Sequence, residues 1–148
     1  LKYIPHAKKS INMDTNHAVQ IKPKPWGEEI WFAHSSSYAG KILRVKKGHR
    51  LSLQYHEKKS ETQYLYKGKV KFTYGTDKTT LKDAILNPGD KFDILPYTIH
   101  RVEALEDSEI FEVSTPELDD VVKLEDDYGR SGKGNNDDLD KELSRKNI

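Results

Sequence analysis

From about Pro25 to Arg130 the chain is a succession of short stretches rich in Ile, Val, Leu, Tyr and Phe: EEIWFAH, KILRVKK, RLSLQYH, TQYLYKGKVKFTYG, FDILPYTIHRVEA and SEIFEVS. Several alternate apolar with polar residues, the period of a half-buried strand. Turn residues separate them at Ala39-Gly40, Lys47-Gly48, Lys67-Gly68, Gly75-Thr76-Asp77 and Asn87-Pro88-Gly89-Asp90. No helical stripe longer than a couple of turns interrupts this region. The pattern therefore predicts an all-β sandwich or barrel over residues 25–130. The flanks read differently. Residues 1–24 carry scattered apolar positions without a period, an arm expected to add one strand or cover an edge. Residues 131–148 open with Gly, Asn and Asp and read as a polar, flexible tail, with at most a frayed helical turn around Leu139–Leu143.

Composition narrows the class. At 148 residues there is room for one domain and one modest core. Lys+Arg number 25 and Asp+Glu 24, which argues against nucleic-acid binding, where phosphate contacts need a clear basic excess. No cysteine is present, so disulfide scaffolds, thiolate metal sites and cysteine nucleophiles are excluded. No apolar run approaches the roughly 20 residues of a membrane helix, and no signal-peptide pattern is found, so a cytoplasmic protein without membrane partners is the expectation.

One stretch carries chemistry. In Gly48-His49-Arg50-Leu51-Ser52-Leu53-Gln54-Tyr55-His56, a regular strand would place Arg50, Ser52, Gln54 and His56 on one face. Glu61 follows at the start of the next strand and can face them across a short connection, and His100 lies in a later strand. One amide oxygen, one carboxylate and two imidazoles form a mixed N/O set suited to Zn²⁺, Mn²⁺, Fe²⁺ or Ni²⁺ rather than Ca²⁺. Arg50 and Ser52 are expected contacts to substrate oxygens or phosphate. Leu51, Leu53 and Tyr55 would form an apolar row on the opposite face, needing cover from the arm or a second subunit, and a homodimer is the expectation. Trp26 reads as a packing anchor. His6, His17, His34 and His49 lack partners at metal-ligand spacing and read as structural or solvated.

The spacing of Gly48, Gln54, His56, Glu61 and Gly68, followed by the step from Gly89 to His100, resembles the two motifs of the cupin superfamily, with Gln54 where the first motif usually has a histidine. In the second motif Leu95 holds the usual proline position, Pro96 comes one place later, and Tyr97 stands at the usual glycine. PWGEE (Pro25 to Glu29), GHRLSLQYH, LPYTIHRVEA and LEDDYGR (Leu124 to Arg130) are similar to the cupin domain of type II mannose-6-phosphate isomerases, which in many of those proteins follows a mannose-1-phosphate guanylyltransferase domain. Nothing in this chain resembles the latter. The resemblance implies a cupin double-stranded β-helix, or jelly-roll barrel, holding one divalent metal through Gln54, His56, Glu61 and His100. Zinc is the first choice of metal, with Mn, Fe, Ni and Co as alternatives. It implies isomerisation of mannose 6-phosphate and fructose 6-phosphate for sugar-nucleotide (GDP-mannose) synthesis, with Arg130 in catalysis or phosphate binding. The alternatives are a metal-dependent cupin of another class, such as a dioxygenase, and a non-catalytic carbohydrate-binding or regulatory cupin. For the proton-transfer base the sequence offers only Lys67 or an additional carboxylate.

The near-neutral total conceals a split. Residues 41–82 hold twelve Lys or Arg against three Asp or Glu, whereas residues 83–130 hold four against fourteen. The basic part contains three of the four expected ligands, a field suited to a small anionic substrate.

Overall fold

The alternating stretches pair into two six-stranded antiparallel sheets in the computed structural model, which describes residues 17–146. The arm before His17, including His6, lies outside the described residues. The strands are β1 (Gln20–Lys24), β2 (Gly27–His34), β3 (Ala39–Val45), β4 (Leu53–Tyr55), β5 (Glu61–Lys67), β6 (Val70–Gly75), β7 (Lys82–Leu86), β8 (Lys91–Ile94), β9 (Ile99–Ala104), β10 (Ser108–Ser114), β11 (Val122–Glu125) and β12 (Gly132–Lys133). The first sheet runs β1-β2-β3-β10-β5-β8 and the second β12-β11-β4-β9-β6-β7. From β3 to β11 the chain passes repeatedly between the sheets, a jelly-roll barrel.

Strand register divides the interior into a polar and an apolar end. On the first sheet Leu43, Ile110 and Leu65 are cross-strand neighbours, and two residues along lies the row Lys41, Glu112 and Gln63. On the second sheet Ala104 and Val102 pair with Val70 and Phe72, while Gln54, His100 and Tyr74 make the next row. The apolar rows merge with Trp26, Val45, Leu86 and Ile94 into one core, as expected of Trp26. Each such fully buried side chain contributes roughly 2 kcal/mol. Close approach at the apolar end depends on Gly27, where a Cβ would stand 1.9 Å from the Arg44 carbonyl oxygen, and on Gly68, where one would stand 2.3 Å from Ser108 Oγ.

Two expectations are corrected. The polar tail contains a helix, α1 (Asp137–Lys146). Asn136 caps it, its side-chain oxygen accepting the Leu139 N–H at 3.0 Å, and acidic residues in the first turn and basic ones in the last complement the helix dipole. It docks on β1 through Lys22–Asp137 at 2.7 Å and Lys24–Asp140 at 2.6 Å, the second pair buried. Its low hydrophobicity conceals this because the docking uses charge.

The row Leu51, Leu53 and Tyr55 does not form an uncovered face. Leu51 packs against the core, Leu53 is buried and Tyr55 stacks on Tyr97. The argument for a homodimer from that row therefore fails. Exposed apolar side chains include Phe32, Tyr64, Tyr66 and Val113 on the first sheet and Ile85 on the second.

Candidate metal centre and its cavity

β4, β5 and β9 bring three donors together at the polar end. His56 directly follows β4, Glu61 opens β5 and His100 is the second residue of β9. Glu61 Oε1 is 3.5 Å from His56 Nε2 and 3.4 Å from His100 Nε2, and all three residues are buried. His56 Nδ1 lies 2.5 Å from the Asp120 carbonyl and His100 Nδ1 2.9 Å from the Thr98 carbonyl. A carbonyl can only accept, so each Nδ1 carries the proton and each Nε2 lone pair is directed inward. Neither Nε2 makes a hydrogen bond of normal geometry in the folded chain. Carbonyl-anchored imidazoles presenting free Nε2 atoms are the usual arrangement of metal-binding histidines. Tetrahedral donors about 2.1 Å from a zinc ion stand about 3.4 Å apart, so the spacing around Glu61 suits a divalent metal.

Glu61 is held as a carboxylate. Burial pushes its pKa up, but the Lys59 ammonium at 2.6 Å from Oε2 outweighs this and holds it well below the usual range. One oxygen faces the ammonium and the other the histidines. Asp120 fixes the connection from His56 to Glu61, its carboxylate accepting the N–H groups of Glu57, Lys58 and Lys59 at 3.1, 2.6 and 2.8 Å. The turn before His100 places Tyr97 at φ 64, the left-handed conformation for which glycine is the usual choice, and the Tyr97 N–H donates to the His56 carbonyl at 2.7 Å.

The remaining predicted residues divide. Gln54 is the cross-strand partner of His100 and lines the same cavity. Its amide oxygen accepts the Ser52 hydroxyl at 2.6 Å, leaving that oxygen a second lone pair. Ser52 is thus buried in the cavity wall, positioned to orient Gln54. Arg50 is not brought to the site. It forms a two-pronged pair with Asp127 at 2.7 and 2.8 Å and lines an outer groove with Lys71, Asp83 and Glu103. The predicted face is interrupted because Leu51 and Ser52 both line the interior, while Arg101 Nε donates to the Leu51 carbonyl at 2.9 Å. Arg130 does line the cavity. Asp126 accepts from its Nε at 3.0 Å and Nη2 at 2.8 Å, and Asp140 accepts from Nη1 at 3.0 Å. Lys67 lies elsewhere, in a groove with Lys46 and Asp107.

Comparison with known families matches residues 10–126 to the family described as mannose-6-phosphate isomerase, C-terminal. The chain belongs to that family. The match covers His56, Glu61 and His100 and stops before Arg130 and α1. No curated protein matches the chain. Among solved structures, KdgF from Halomonas sp. has a TM-score of 0.59 at 22% identity, covering 72% of this chain and 94% of that one. Oxalate decarboxylase from Bacillus subtilis has a TM-score of 0.62 at 19% identity, covering 72% and 30%. The capsular polysaccharide assembling protein CapF from Staphylococcus aureus has a TM-score of 0.57 at 15% identity, covering 77% and 33%. The chain thus spans about a third of the length of the latter two. These likenesses show a shared cupin fold. Among the described residues no helix is long and apolar enough to cross a membrane.

Beyond the ligand set, this cupin lines its cavity with charges that the sequence reading missed. Lys41 lies 3.3 Å from Glu29 and 3.4 Å from Glu112, Lys59 lies 3.6 Å from Glu112, and Gln63 Nε2 donates to Glu112 at 3.0 Å. The signal was available in the strand phase: Lys41 is in phase with Leu43 and Val45, and Glu112 with Ile110 and Ser108. Burial pushes Glu29 up, but Lys41, Lys24 and the Trp31 indole N–H outweigh it and lower its pKa from 4.5 to about 2. A depressed carboxylate stabilises the fold above its unfolded pKa and loses that contribution as pH falls through the folded value. Between pH 4.5 and 2 this group should therefore lose about 3 kcal/mol of stability. Urea unfolding of wild type and Glu29→Gln across that window checks it. The variant should lose less stability on acidification, and parallel curves would refute the assignment.

Proposed function

We propose that this cupin is a metal-dependent aldose–ketose isomerase interconverting mannose 6-phosphate and fructose 6-phosphate. The observation supporting it most directly is the convergence of two free Nε2 atoms on the Glu61 carboxylate in a cavity lined by buried cations, within a chain of this family. Gln54, His56, Glu61 and His100 would hold the metal, zinc in the first instance. When bound it supplies Lewis acidity toward the C1 and C2 oxygens, lowering the cost of an enediol.

The chain's own groups do the rest. Thr98 and Asp120 keep both imidazoles in the tautomer that presents Nε2, and Ser52 orients the Gln54 amide oxygen. Arg130 uses three of its five N–H donors on Asp126 and Asp140, and the two left over can hold a substrate oxygen. Its carboxylate partners fix the guanidinium in place before substrate arrives, so little orientation remains to be lost on binding. With Lys67 outside the cavity, a proton moving between C1 and C2 must be carried by a cavity group. Glu29 and Glu112 are the added carboxylates there, each beside a buried lysine.

A coupled assay on zinc-, manganese- or cobalt-loaded protein tests the reading. Mannose 6-phosphate should turn over, glucose 6-phosphate should serve as the competing substrate, and His56→Ala should lose at least about 10³-fold in kcat/KM, the scale of a lost transition-state electrostatic contact. Absence of turnover with every divalent metal would remove the isomerase assignment.

A further inference from the structure

Three cations are buried side by side where β1 and the segment that follows β11 meet α1. Lys24 ends β1, Lys123 lies in β11 and Arg130 follows it, and all three line the cavity that contains the ligand set. Two carboxylates oppose them. Asp126 is taken by Arg130, and Asp140 is shared by Arg130 and Lys24.

Lys123 has no carboxylate partner among its contacts. Its ammonium donates to the Gly134 carbonyl and to Asn135 Oδ1, both neutral, and the residue is only 8% exposed. Desolvation first, then the charges of Arg130 and Lys24, hold its pKa below the usual lysine range, with Asp140 and Asp126 opposing. A buried ammonium beside two like charges, bonded only to neutral oxygens, is poorly compensated. A small dianion would compensate it.

Its position is also informative. Lys123 is the cross-strand partner of Gln54, and Gln54 of His100, so the three lie on one row of the second sheet. Two strand spacings, about 10 Å between backbones, separate the ammonium's strand from that of the metal-side imidazole. One small ligand can therefore bear on both.

We propose that Lys123, flanked by Lys24 and Arg130, forms an anion subsite for a phosphate group, and that Asp140 on α1 is the internal counter-ion competing with it. The subsite rests on the isomerase reading only in assigning that group to the phosphorylated end of the sugar. α1 thereby becomes part of the binding machinery, since it sets the net charge the anion meets.

The test uses inorganic phosphate and the full chain, by calorimetry at low ionic strength, with and without zinc. Wild type should bind one phosphate. Lys123→Gln should weaken this at least tenfold, Lys123→Arg should restore most of it, and Lys71→Gln, which removes the same charge from the outer groove, should change it less than twofold. Asp140→Asn should tighten binding severalfold, which keeps the proposal testable if Lys123→Gln does not fold. Phosphate affinity unchanged in Lys123→Gln, or no tightening in Asp140→Asn, would overturn it. Because the readout is binding, phosphate bound by an inactive wild type sustains the subsite while removing the isomerase. Turnover with unaltered KM for mannose 6-phosphate in Lys123→Gln does the reverse.

Discussion

Replacing His100 with alanine should reduce bound zinc from one per chain to less than a tenth after gel filtration, and abolish any metal-dependent activity with it. The expectation follows from the ligand count. His56, Glu61 and His100 are the group able to hold a metal among the described residues, and removing one leaves two strong donors and the neutral Gln54 amide. Loss of an outer hydrogen-bonding partner alone typically costs about 10–100-fold in metal affinity, and loss of a ligand costs more. The His100 ring also stacks on Phe72, with centroids 6.2 Å apart, so thermal unfolding must accompany the metal analysis. His100→Gln, which fills more of the space, separates the effects: metal loss should persist while stability recovers. Zinc retained at full occupancy by folded His100→Ala would refute the centre.

The chemistry of the trio was legible because it depends on short-range facts. His56 lies two residues beyond Gln54, Glu61 opens the strand after a four-residue connection, and a motif-length step leads to His100. Arg50 was misplaced by the same logic of alternation. The period holds only while the ladder does, and β4 begins at Leu53, after the Arg101 side chain has taken the Leu51 carbonyl. Lys41 and Glu112 show the opposite limit. Each is in phase with buried apolar residues of its own strand, yet their neutralisation becomes visible only when β10 is seen paired with both β3 and β5. Asp140 lies beyond any strand-based reading, because its partners Lys24 and Arg130 are brought to it by the fold.

Lys41→Met should be the most destabilising of the single charge removals, by about 3–5 kcal/mol at pH 7. Lys41 is 7% exposed and lies between Glu29 and Glu112, so removing the ammonium leaves two buried carboxylates facing the same void. Lys24 still acts on Glu29 and Lys59 lies near Glu112, but Lys59 is already engaged by Glu61 at 2.6 Å. The defect is electrostatic, so it should respond to pH in a direction packing loss would not. In wild type the pairing holds Glu29 down at about 2, whereas in Lys41→Met burial is less opposed and the carboxyl titrates at higher pH. Protonation then relieves the variant as pH falls from 7 toward 5, and its deficit should shrink by at least a third while wild type changes little. Replacing the whole group, as Glu29→Leu, Lys41→Met and Glu112→Leu together, should recover most of the loss, because apolar substitutes for a buried ion cluster are often neutral or stabilising. Urea unfolding at pH 7 and 5 measures all three quantities. A deficit below about 1 kcal/mol at pH 7, or one that does not change with pH, would mean that water already reaches this end of the barrel and screens the carboxylates.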